Sequence, residues 1–95
     1  VNIARQSELL GLLQEECAET VQVASKIGRF GMESCHPNDL TVNNRQMLEQ
    51  EIADIQAIIY LLIDEGFISS NNIQAGFVKK MEKLRAYGIV TGDEE

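Results

Sequence analysis

The chain has 95 residues, 44% of them hydrophobic, and a formal net charge of −7, which suits one domain with a modest core. The acidic balance argues against general nucleic-acid binding, which needs basic surface to neutralise phosphates, and no apolar run is long enough to span a membrane. A single Pro, no Trp and few aromatics argue against an all-β sandwich, and a chain this short often completes its core by oligomerising.

Three helices are predicted, in one all-α domain covering residues 1–95. The first runs from about Arg5 to Ile27 and stops near Gly28 and Gly31. Residues 28 to 42, GRFGMESCHPNDLTV, read as a loop because they hold the only Pro together with Gly and Asn-Asp. The second helix is capped by Asn43 or Asn44 and runs to Glu65 before Gly66. The third is capped near Ser69 or Ser70 and runs to Tyr87 before Gly88, and the tail TGDEE is expected to fray. Cys17 and Cys35 have no CxxC spacing. Cys35-His36 offers two ligands where structural zinc wants four. Both thiols are therefore read as reduced and the protein as cytoplasmic.

The apolar stripes carry the main signal. On the second helix Leu48, Ile52, Ile55, Ile59 and Leu62 recur at helical spacing and define a core face. On the first helix Leu9, Leu12, Val23 and Ile27 share a stripe, and Glu16 and Glu19 occupy its middle. Beside the main stripe of the second helix, Met47, Ile58 and Leu61 form another, interrupted by Glu51 and Asp54. An i, i+3 spacing puts both acids of a pair on one face, with Cβ atoms roughly 5–6 Å apart. If the two helices pack antiparallel, the two pairs converge. Unpaired anions there are costly to desolvate; they must protonate, pair with Lys or Arg, or hold a hard cation such as Mg²⁺ or Mn²⁺. Two ions about 3.5–4 Å apart fit between two such pairs. The plain alternative is a pair of acidic edges facing water. A ferritin-like di-iron site is excluded because it uses Glu-x-x-His pairs and His36 lies in the loop.

The motif Glu15-Glu16-x-x-Glu19 followed by Glu51-x-x-Asp54 resembles the signature of the MazG-like all-α nucleoside triphosphate pyrophosphohydrolases. EECAETVQVASKIGRFG resembles the first helix and turn of small single-domain, phage-type members, LEQEIADIQAIIYLL the second helix, and KKMEKLRAYG the end of the third. The resemblance implies a MazG-like helical bundle completed by homo-oligomerisation, as a homodimer or homotetramer. It implies hydrolysis of a (deoxy)nucleoside triphosphate to the monophosphate and pyrophosphate, with Mg²⁺ or Mn²⁺ and two or more ions per site. Glu16, Glu19, Glu51 and Asp54 match the metal ligands. Glu15 and Glu16 are the candidates to act on the attacking water, and Lys80 and Lys83 to contact phosphate. Phe30, Met32 and His36 in the loop are candidates to stack on or edge a base, and Asn38, Asn43 and Asn44 to read one. The expected compartment is the bacterial cytoplasm, or the host cytoplasm for a phage protein.

The chain departs from its cousins in the 31 residues between Glu19 and Glu51, in Ile58 where several carry Tyr, and in Leu84 where some carry Asn. A phosphoribosyl-ATP pyrophosphohydrolase is a neighbouring reading. A non-catalytic helical oligomerisation module with a cation site is another, and an acidic bundle without metal a third.

Overall fold

The computed structural model describes residues 2–90; the expected fraying of residues 91–95 lies outside them. The chain is mostly helical, with a small two-stranded sheet. Helix α1 spans Ile3–Phe30, strands β1 and β2 span Cys35–His36 and Asp39–Asn43, and helices α2 and α3 span Asn44–Asp64 and Ser70–Ala86. Asn2 caps α1 through Arg5 N–H, and Ser69 caps α3 through Asn72 N–H. Asn43 rather than Asn44 caps α2, in a capping box closed by the Gln46 side chain. Helix α2 ends in a Schellman turn: Phe67 N–H donates to Leu62 O and Gly66 N–H to Ile63 O. Gly66 takes φ +80°, where a Cβ would be strained.

The α1–α2 connector differs from the expected loop. It folds into an antiparallel β-hairpin with Cys35 opposite Asn43, His36 opposite Asp39, and an irregular register between them. The hairpin also finishes α2. Asn44 N–H donates to Ser34 O and Arg45 N–H to Met32 O, so two N-terminal amides that the helix cannot satisfy find carbonyls in the connector. Gly31, at φ +90°, turns the chain out of α1, and its carbonyl accepts from Asn44 Nδ2 at 3.0 Å.

Helices α1 and α2 pack as an antiparallel hairpin. At the far end Arg5 forks onto Glu65, with Nε and Nη2 each 2.8 Å from a carboxylate oxygen. The buried apolar side chains are Leu9 and Val23 of α1 and Leu62 of α2. Leu9, Glu16 and Val23 are spaced by seven residues, so the buried leucine and valine bracket the acidic position on one stripe. Helix α3 packs only marginally on the hairpin and contributes no buried residue. The radius of gyration is 16.6 Å, against about 12 Å for a compact domain of this length, and the thinnest extent is 16 Å. Ile73, Phe77 and Val78 of α3 are exposed, as is Tyr60 of α2. Among the described residues, no helix is long and apolar enough to cross a membrane.

Candidate metal centre

The packing of α1 on α2 brings Glu16, Glu51 and Asp54 together. One carboxylate oxygen from each lies within 4.8 Å of the other two. All three side chains are half-buried. Glu16 Oε2 and Glu51 Oε2 are fully enclosed and have no hydrogen-bond partner, an arrangement that costs free energy unless something else satisfies them. Asp54 is oriented by Gln50, whose Nε2 donates to Oδ1 at 2.9 Å. Thr20 Oγ1 donates to the Glu16 main-chain carbonyl at 2.7 Å, one turn back along α1.

The ion pairs of Arg5 with Glu8 and Glu65, and of Arg45 with Glu33, do not reach these acids. The electrostatics follow from that. Burial, and then repulsion from Glu19 and Asp54, push the Glu16 carboxyl up to about 7. Burial, and then the neighbouring Glu19 carboxyl, raise Glu51 as well. Glu19 is exposed and stands at the edge of the cluster, near enough to bear on both half-buried glutamates.

The donor chemistry fits a hard divalent cation. The set is all carboxylate oxygen, partly dehydrated, and carries two oxygens with no other partner. Glu16, Glu51 and Asp54 are the residues to hold such an ion, with Glu19 beside them. Glu15 is exposed on the neighbouring flank of α1 and is not one of the three convergent acids.

The raised carboxyls have a measurable consequence. Between the ordinary glutamate value and about 7, the folded protein binds more protons at Glu16 than the unfolded chain does. Stability is therefore fully present below about pH 4.5 and is lost as pH rises towards 7. A cation bound by the ionised acids reverses this. The metal-free melting temperature is expected to fall between pH 5 and pH 7.5, and millimolar Mn²⁺ to raise it more at pH 7.5 than at pH 5. Equal Mn²⁺ shifts at both pH values in thermal melts would contradict the assignment.

The other candidate residues fall in two places. Lys80 and Lys83 line an open hollow on α3 with Gly76, Lys79, Glu82 and Ala86. With α3 only marginally packed on the hairpin, the single chain does not gather them into the acidic cluster. Phe30 and His36 line a second cavity with Lys26, Ser34, Cys35, Pro37 and Asn44, at the connector end of the helical hairpin. Phe30 is 63% exposed and stacks under the Arg29 guanidinium at 5.3 Å. Gln50, four residues before Asp54, was not among the sequence candidates. The i, i+4 spacing of an amide and an acid is the signal that marks it.

Against protein-family models, curated proteins and solved structures, the chain finds no match in any of the three comparisons.

Proposed function

We propose that this chain is a metal-dependent pyrophosphohydrolase of (deoxy)nucleoside triphosphates, of the MazG-like kind its acidic motifs resemble. One observation carries the reading. Three carboxylates from two helices converge around enclosed oxygens that have no hydrogen-bond partner, and the Arg5 and Arg45 ion pairs lie elsewhere. A fold that needed only stability would gain by replacing such a cluster with apolar side chains.

Glu16, Glu51 and Asp54, assisted by Glu19, would hold Mg²⁺ or Mn²⁺, with room in the motif for two or more ions. Such ions, when bound, supply positive charge to the triphosphate and acidify water. Glu16 is one candidate to receive the proton of the attacking water. Glu15 is the flanking alternative, suited to orienting that water from the solvent side. The water oxygen bonds to the α-phosphorus, the bond from that phosphorus to the β-bridging oxygen breaks, and pyrophosphate leaves. Lys80 and Lys83 would meet the phosphates. Because α3 stands off the hairpin, we assign that meeting to a homodimer or homotetramer in which α3 is covered by a second copy. The compartment that suits reduced Cys17 and Cys35 and a nucleotide substrate is the cytoplasm, bacterial or of a phage host.

The test is an end-point assay with ribo- and deoxynucleoside triphosphates in Mg²⁺ and in Mn²⁺, resolving mono- from diphosphate. Monophosphate and pyrophosphate from a subset of substrates is the expected result. No turnover in either metal would move the reading to phosphoribosyl-ATP or to a non-catalytic module with a cation site.

A further inference from the structure

The cavity at the connector end of the hairpin has a feature the hydrolytic site does not use. Its volume is about 240 Å³, below the roughly 300–1,000 Å³ of pockets that enclose whole drug-sized ligands, so it suits one planar ring system rather than an entire nucleotide. Phe30 and Pro37 give it apolar walls, and Lys26, Ser34, His36 and Asn44 its polar groups. Asn44 is only 4% exposed. Its Nδ2 donates to Gly31 O, which fixes the amide so that Oδ1 is the acceptor left for a ligand. Among the described residues, no hydrogen bond reaches that oxygen. Asn43 takes the capping role at α2, so Asn44 is free of it. His36 Nδ1 accepts from Asn38 N–H at 3.0 Å, which leaves Nε2 as the N–H of the neutral ring.

The cavity and the acidic cluster lie on one line. Lys26 is seven residues beyond Glu19 on α1, and Asn44 is seven residues before Glu51 on α2. Each separation is about 10 Å of helix rise, and a seven-residue step returns to the same helix face. A pentose and its 5′ ester linkage bridge a gap of that order.

We propose that this cavity binds the nucleobase, and that Asn44 Oδ1 selects bases with an amino group at pyrimidine C4 or purine C6, cytosine or adenine, over thymine or uracil. The inference rests on the hydrolytic reading and adds the substrate class to it. An acceptor that the bound base covers forms a hydrogen bond when it faces an amino group. Facing a thymine or uracil carbonyl, it meets a second acceptor and goes unpaired, which is how polar sites reject analogues.

The experiment compares kcat/KM for dCTP, dATP and dTTP in Mn²⁺ for the wild type, Asn44→Leu and Phe30→Ala. The wild type should favour dCTP or dATP over dTTP by about tenfold or more, and whichever of the two is preferred names the base. Asn44→Leu should collapse that ratio towards one. Phe30→Ala, at a 63% exposed position, should raise KM for the preferred substrate with little change in kcat. A wild-type enzyme that hydrolyses all three equally, or an Asn44→Leu enzyme that keeps the ratio, overturns the base assignment and leaves the hydrolytic reading standing. If no triphosphate is hydrolysed, or Asn44→Leu does not fold, amide NMR titration of the wild type decides. Deoxycytidine or deoxyadenosine monophosphate should then shift residues 34 to 44 and bind about tenfold more tightly than thymidine monophosphate. Equal binding, or shifts elsewhere, refutes the proposal.

Discussion

Replacing Asp54 by Asn, or Glu19 by Gln, is expected to lower kcat/KM by about 10²–10³-fold or more while leaving the helical signal intact. Asn and Gln keep the shape of the side chain and remove its charge. Asp54 supplies one of the three convergent carboxylates, so its loss removes a ligand charge from the centre of the proposed site. Glu19 is exposed and bears on Glu16 and Glu51 from the side, so its loss removes charge without disturbing packing. Stability should change in the opposite sense to activity. Asp54 and Glu19 both repel Glu16; neutralising either relieves that repulsion in the metal-free protein. The metal-free melting temperature at pH 7.5 should therefore hold or rise, and the Mn²⁺-induced increase should shrink. Kinetics and thermal melts on the same preparations check both halves. Full activity in both variants would remove these acids from the mechanism.

Replacing Phe77 by Asp is expected to break the proposed oligomer and, with it, turnover. Helix α3 carries Ile73, Phe77 and Val78 exposed on a segment with no buried residue. Met81 and Leu84 continue its apolar positions and are only half-buried. In the proposed oligomer this exposed apolar face is the surface for a helix of a second copy. A charge placed at an aromatic anchor in a buried interface costs about 2 kcal/mol or more. Light scattering should give a dimer or tetramer for the wild type and a monomer for Phe77→Asp. Activity should fall with the mass, because Lys80 and Lys83 sit on the same helix. A monomeric wild type that hydrolyses substrate would show instead that one chain completes the site.

What the sequence made legible was the material with a period. The acids at 16 and 19, and at 51 and 54, interrupt apolar stripes, and antiparallel packing of those stripes is enough to make Glu16, Glu51 and Asp54 meet. Helix ends were legible where a Gly or a cap enforces them, as at Gly66 and Asn43. The connector was not. Strand β1 has two residues, too few for an alternating pattern, and its pairing depends on carbonyls that also satisfy the start of α2. The different fates of Asn43 and Asn44 were also hidden, since both residues suit a cap and only the backbone decides which one caps. Amphipathicity marked the apolar face of α3 but carries no information on what covers it. Spacing placed Glu19 on the stripe of Glu16, yet reach across to α2 depends on the helix contact itself, and Glu19 stays at the rim.

The most direct measurement of the central claim is hydrolysis of a deoxynucleoside triphosphate in oxygen-18 water with Mn²⁺, with mass analysis of both products. The account predicts deoxynucleoside monophosphate carrying one labelled oxygen, and unlabelled pyrophosphate, because water attacks the α-phosphorus. Label in pyrophosphate, a diphosphate product with inorganic phosphate, or no metal-dependent turnover of any triphosphate would contradict it.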